Sequence, residues 1–218
     1  MLSSDSLLHS SRTLPILMVL LTAVAGCWRR AGDEHRATSP QLTESVEFSN
    51  ELERILVRKL ELIEELAHQP EIVQAARDAN RSNAPLSEQE IKRLDQQWVQ
   101  SQGLNDLIKS IITNRTADIL VDFQEQHGEF IEIMLTDEQG LIIAATNRTS
   151  DYYQKDESWW NRAYDEGRGR SYHGPIEFDE STNSESISMN VPVRDPDNEH
   201  VIGVIKAVCD ITAIKMEL

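Results

Sequence analysis

Asp151-Tyr152-Tyr153-Gln154-Lys155-Asp156-Glu157-Ser158-Trp159-Trp160-Asn161-Arg162-Ala163-Tyr164 opens the stretch whose reading decides the fold, and alternating apolar strands close it at Asp210. All four tyrosines and two of the four tryptophans fall inside it, in a chain that is only 6% aromatic. Aromatic rings supply large apolar area with polar edges, which suits the wall of a small-molecule pocket. The segment also separates a chain that changes period near Phe130, from helical spacing before it to strand alternation around it.

Working outward, residues 130–136 read as a strand and 141–146 as its partner. Asp137-Glu138-Gln139-Gly140 lies between them, with Gly where a tight hairpin wants positive φ. A loop and a short helix over 158–164 follow. Gly167-Arg168-Gly169-Arg170 turns into a third strand near Ser171, which His173-Gly174-Pro175 interrupts, and 178–183 reads as a polar turn. Over 185–193, Ile187, Met189 and Val191 face one way and Ser186, Ser188 and Asn190 the other. Asp195-Pro196-Asp197-Asn198 makes a hairpin turn into 201–208, a strand apolar enough to be central. A terminal helix begins after it.

Upstream, Phe48, Leu52, Ile55, Leu56, Leu60, Ile63 and Leu66 recur at helical spacing, with most glutamates off that stripe. Ser39-Pro40 is a helix-start signal, and Gln69-Pro70 breaks the helix before a short segment over 71–79. The stripe suits packing on the chain's own sheet or on a second copy, so a homodimer through the long helix stays open. Ser87 with Glu90 forms a capping box and Leu86 with Ile91 a hydrophobic staple, which start a helix over 88–99. Residues 104–123 carry another helical pattern whose middle, 111–116, is loosened by β-branched and polar residues. The fold class is therefore α+β, a long N-terminal helix and further helices beside an antiparallel sheet of about five strands.

The front end has its own logic. Residues 14–26 form an apolar run that would rise about 20 Å as a helix, short of a hydrocarbon core of roughly 30 Å. That is the length of a signal-peptide core. Ala23-Val24-Ala25-Gly26-Cys27 resembles the bacterial lipobox, with Leu21 earlier than the usual register. The resemblance implies lipidation at Cys27 and anchoring in the cell envelope, facing the periplasm or the exterior, with an uncleaved signal anchor as the competing reading. Residues 1–26 are then a leader, 27–41 the lipidated cysteine and a polar tether, 42–129 the helical region, 130–211 the sheet and ligand loops, and 212–218 the start of the terminal helix. Cys209 is left as the one other cysteine, so no internal disulfide is expected. The net charge of −16 argues against nucleic acid and against adsorption to anionic lipid.

Thr136-Asp137-Glu138-Gln139-Gly140, Ala144-Ala145-Thr146, Asp151-Tyr152-Tyr153, Ser158-Trp159-Trp160, Phe178-Asp179-Glu180-Ser181, Val191-Pro192-Val193-Arg194-Asp195 and Val201-Ile202-Gly203-Val204 together resemble the extracytoplasmic Cache sensor family. The likeness in motif covers 131–211 and implies a single PAS-like module preceded by a long helix. In family members that bind amino acids, aromatics and an Arg hold the ligand carboxylate, and an Asp ending the last strand holds its ammonium. The resemblance places Tyr152, Trp159, Trp160 and Asp210 on those positions and Glu157 on that of the Arg, with Tyr153 and Tyr172 as further ligand candidates. A Glu lacks the bidentate fork that Arg offers a carboxylate. Glu157 and Asp210 with tryptophan faces suit an amine or quaternary ammonium. Arg162 or Lys155 turned inward would suit an organic acid instead. Asp210 also reads as a cap for the terminal helix, together with Thr212. Trp159 and Trp160 are adjacent, so on a helix they diverge by about 100° and only one can face a given pocket wall.

No metal, cofactor or enzymatic chemistry is expected. His68, His127, His173 and His200 lack metal-motif spacing, Ser181 lacks elbow glycines, and Cys209 falls in a buried strand beside an acid. Two functions are weighed. One is a lipid-anchored small-molecule sensor or binder that signals through a separate partner, since receptors of this family continue into a membrane helix and effector. The other is an envelope interaction or scaffold lipoprotein that uses the fold without a ligand.

Overall fold

The computed structural model describes residues 49–179 and 184–217. Cys27, the leader, the tether and the Ser39-Pro40 start signal lie outside these residues, as do residues 180–183 of the expected polar turn. No helix among the described residues is long and apolar enough to cross a membrane.

Helix α1 spans Asn50–Ala67, about five turns, and Ser49 caps it by accepting from the Leu52 amide at 3.2 Å. Phe48, expected on its stripe, lies outside the described residues. Pro70 stands at the first position of α2, Pro70–Asn83, where its missing N–H costs nothing; this helix runs past the expected end at 79. Helix α3, Glu88–Gln100, starts at the capping box expected from Ser87 and Glu90. The 104–123 pattern is two helices, α4 over Asp106–Ile112 and α5 over Arg115–Gln126. Asn114 causes the split by taking the Ala117 amide as an N-cap. Its own amide donates to the Ile143 carbonyl at 2.8 Å, so the break is tied to the sheet.

The sheet is antiparallel with strands β1 (Phe130–Asp137), β2 (Ile142–Ala145), β3 (Tyr172–Asp179), β4 (Ser184–Arg194) and β5 (Val201–Asp210), in the order β2-β1-β5-β4-β3. The strand read as central is central. His173-Gly174-Pro175 does not end β3 but shifts its register against β4 between His173 and Ile176. Phe178 and Asp179, expected in a turn, continue the ladder opposite Glu185 and Ser184.

Alternation assigns the two faces. Ile133 and Leu135, Ile187, Met189, Val191 and Val193, and Ile205, Ala207 and Cys209 pack under α1, α2, α5 and the terminal helix α7, Ile211–Lys215. The stripe of α1, with Leu52, Ile55, Leu56, Ile63 and Leu66 buried, is spent on this face. Each such side chain contributes about 1.5–3 kcal/mol by burial. Lys59 of α1 reaches Glu129 at 2.8 Å and Glu217 at 2.7 Å, which ties the first helix to the end of the chain.

The other sheet face is covered by α6, Ser158–Tyr164, and by the segment before it. The β1–β2 turn sets that segment's position. Asp137 is fully buried and accepts from the Gln139 and Leu141 amides, both at 2.9 Å, and from Asn83 at 2.7 Å. Gly140 has φ of 79°, and a Cβ there would sit 2.6 Å from the Lys155 amide nitrogen. The turn and the aromatic segment meet backbone to backbone, with the Gln154 amide donating to the Gly140 carbonyl at 2.7 Å.

Candidate functional site

The segment between β2 and α6 is held on α3 by polar contacts that its sequence supplies. Asp95 of α3 accepts both the Tyr152 and Tyr153 amides through one oxygen, at 2.9 and 3.1 Å. The Trp98 indole donates to the Thr149 carbonyl at 2.9 Å, and Arg148 reaches back to the Trp98 and Ser101 carbonyls. With both flanks fixed, Asp151, Gln154 and Glu157 lean over the β1 and β5 floor. Together with Glu132, Met134, Trp159 and Lys206 they line a half-open cavity of about 320 Å³.

Two of the seven residues expected to touch ligand, Glu157 and Trp159, line this cavity. Trp160 does not. It is fully buried, stacks on Tyr164 with ring centres 4.6 Å apart, and donates its indole N–H to Thr136 at 2.8 Å. The adjacent indoles diverge as helical geometry requires. Tyr152 packs against Trp98, 5.6 Å between rings, and burial pushes its hydroxyl up to about 12. Tyr153 faces a separate hollow with Glu88, Ile91 and Lys92. Tyr172 is buried; its hydroxyl donates to the Trp159 carbonyl at 2.9 Å and Arg162 lies over its ring at 4.2 Å. Tyr172 thus positions the helix that carries Trp159. Asp210 caps α7, accepting the Thr212 amide at 2.7 Å. It stands four residues beyond Lys206 along β5, about 13 Å away at strand rise.

The charges of the cavity come partly from residues outside the expected set. Glu132, Asp151 and Glu157 contribute three carboxylates, and among the described residues Lys206 is the one cation on its wall. Arg162 and Lys155, the candidates for holding an acid, lie over the rings of Tyr172 and Trp160 instead. Burial raises the Glu132 carboxyl above its ordinary range, and Lys206 offsets this only in part. Burial also raises Asp151, with Gln154 opposing and Glu157 and Asp95 adding to the rise. Glu157 occupies the N-cap position of α6 without spending its carboxylate on a cap. Lys206 and Glu132 had a visible trace in the sequence, as charges that break otherwise apolar strand alternation.

A raised carboxyl pKa means that the folded protein favours the protonated form. The stability this contributes is present below the ordinary glutamate range and lost as pH rises through the raised folded value. Glu132→Gln is therefore expected to stabilise the protein at pH 7 relative to the parent, with the gain fading as pH falls toward 4. Urea denaturation of both proteins across that range checks it, and a pH-independent difference would refute the assignment.

A larger hollow, about 420 Å³, lies between the α1–α2 turn and the β4–β5 hairpin. Both of its arginines are already committed. Arg77 pairs with Asp195 and Asp197, and Arg194 donates to the Glu199, Arg168 and Gly169 carbonyls. No group of three or more His, Cys, Asp or Glu among the described residues is placed to hold a metal ion. Cys209 is fully buried, and burial pushes its thiol far up.

No protein-family model matches the chain, and no curated protein does. Solved structures do. The chain is similar to the E. coli DcuS sensor domain at 13% identity and a TM-score of 0.46, covering 77% of this chain and 97% of that one. It is similar to the ligand-binding domain of the Pseudomonas aeruginosa amino acid chemoreceptor PctB in complex with L-Arg, at 15% identity, TM-score 0.41 and coverage of 75% and 53%. It is also similar to the sensor domain of the V. cholerae histidine kinase DctB, at 18% identity, TM-score 0.40 and coverage of 76% and 55%. The chain spans little more than half the length of the last two.

Proposed function

We propose that this protein is an extracytoplasmic small-molecule sensing domain, anchored by lipid at Cys27, whose ligand carries a positively charged amine. The observation that carries the reading is the cavity under the Asp151–Glu157 segment, where three carboxylates and one tryptophan face surround a single lysine. A partly buried site with that excess of negative charge favours a cation, and the Trp159 face adds attraction for an ammonium. An envelope scaffold that used the fold without a ligand would have this volume filled by side chains. The ligand class follows from Glu132, Asp151 and Glu157; Asp210 is not needed for it.

A thermal-shift series on the full-length chain tests the reading against amines and quaternary ammonium ions, amino acids, organic acids and divalent cations. An amine at a hundredfold excess over its Kd adds about 2.7 kcal/mol to the native state. For a domain of this size that is a rise of roughly 5–10 °C. Asp151→Asn combined with Glu157→Gln should abolish the shift, whereas Asp210→Asn should leave it. A shift given by organic acids alone, and lost on Lys206→Met, would overturn the amine reading while keeping the cavity as the site.

A further inference from the structure

The Lys206 ammonium lies 5.0 Å from the centre of the Trp159 ring, within cation–π range. It is hydrogen-bonded or ion-paired to none of the described residues. Directly across from Lys206 on β4 stands Asn190, on the same face of the sheet and fully buried. The Asn190 amide nitrogen donates to Ser188 Oγ at 3.0 Å, but its Oδ1 is a buried acceptor without a partner. Orphaned buried acceptors are few in native proteins, because each forfeits its hydration without compensation. Residues paired across two strands have Cβ atoms about 5 Å apart, so the four-carbon stem of Lys206 spans the gap by changing rotamer alone.

We infer that Lys206 and the ligand's cation compete for one seat, the Trp159 face, and that Asn190 Oδ1 is the second seat, to which the lysine ammonium moves when the first is taken. This rests on the cation-binding reading of the cavity. It gives the site a selectivity that three carboxylates alone do not have. An entering cation must displace an ammonium tethered at an effective concentration in the millimolar range or above. Small hydrated cations, which gain little from an aromatic face, fail against it; alkylated ammonium ions, which gain more, succeed. The displaced charge stays beside the carboxylates and satisfies an acceptor that had no donor.

The test uses the full-length chain with tetramethylammonium as probe. In protein without probe, the Lys206 Hε resonances should be shifted upfield by the indole ring, and saturating probe should return them to their ordinary position. Lys206→Met should tighten the probe by roughly threefold to tenfold. Removing a positive charge does this by electrostatics alone, so the deciding variant is the uncharged Asn190→Leu. It should weaken the probe by roughly threefold to tenfold where Lys206 is present, through loss of one charge-assisted hydrogen bond. In the Lys206→Met background it should have no effect. Probe binding with Lys206 resonances unmoved, or an Asn190→Leu effect of equal size in both backgrounds, overturns the displacement and leaves the cation site standing. Failure of the probe to bind even Lys206→Met overturns both. If Asn190→Leu does not fold, the Lys206 resonance decides.

Discussion

Trp160→Ala is expected to cost about 3–5 kcal/mol of stability, the range for deleting a fully buried tryptophan. For a domain of this size that lowers Tm by roughly 6–20 °C. The mutation removes the ring stacked on Tyr164 and the indole N–H that Thr136 Oγ1 accepts. It also breaks a chain of hydrogen bonds, because the Thr136 hydroxyl itself donates to the Val204 carbonyl at 3.2 Å and so joins α6 to both β1 and β5. Trp159→Ala, one residue away, should cost only about 1 kcal/mol, as its ring is half-buried and its carbonyl still accepts from Tyr172. Its effect falls on binding, where an amine ligand should lose on the order of tenfold in affinity with the aromatic face. Thermal denaturation and titration of the two variants side by side check the contrast. Equal losses of stability would mean that Trp159 is core and the cavity wall is elsewhere.

That contrast also shows where reading the sequence stops. Local chemistry acts within a few residues, and it was legible. The Ser87–Glu90 box, the break at Gln69-Pro70, Gly140 in a turn and the largely apolar run of β5 each placed their element. Alternation in β4 put Ile187, Met189 and Val191 on one face, and the structure packs that face under α1, α2, α5 and α7. The divergence of Trp159 from Trp160 followed from helix geometry, but which of them faces the cavity depends on how α6 docks on Thr136. The same holds for Tyr152, which Asp95 and Trp98 draw into the α3 contact from more than fifty residues away. Glu132 and Lys206 stood in strands read chiefly for their apolar side chains. Only the β1–β5 register brings them beneath Glu157. The loosening read over 111–116 located the break between α4 and α5, but not the part Asn114 plays in it, since its second partner, Ile143, lies in the sheet. Residues whose role is set by distant partners were the ones missed.

Gly203→Ala should be as damaging as Trp160→Ala, for a reason unrelated to glycine's freedom of φ. Gly203 lies in the central strand, opposite Asp137 on one side and Val193 on the other. A Cβ built there would stand 2.3 Å from the Thr136 carbonyl oxygen, and Ala76 of α2 is already 3.6 Å away. The obstacle is backbone in the middle of the sheet, which no change of rotamer relieves. One of the strands must shift, at about 3 kcal/mol or more for overpacking of this kind. Gly128→Ala, where a Cβ meets nothing within 4 Å, is the matched control and should stay within about 0.5 kcal/mol of the parent. Urea denaturation of both variants reads the difference. The functional consequence follows from the register. Thr136 anchors Trp160, β1 carries Glu132 and Met134, and β5 carries Lys206, so forcing β1 from β5 displaces the cavity floor on both sides. Gly203→Ala should therefore lose the ligand-induced thermal shift even where it still unfolds cooperatively. A variant that kept full stability would show that the two strands can slide apart cheaply, and the floor would then be too soft to hold Glu132 and Lys206 in register.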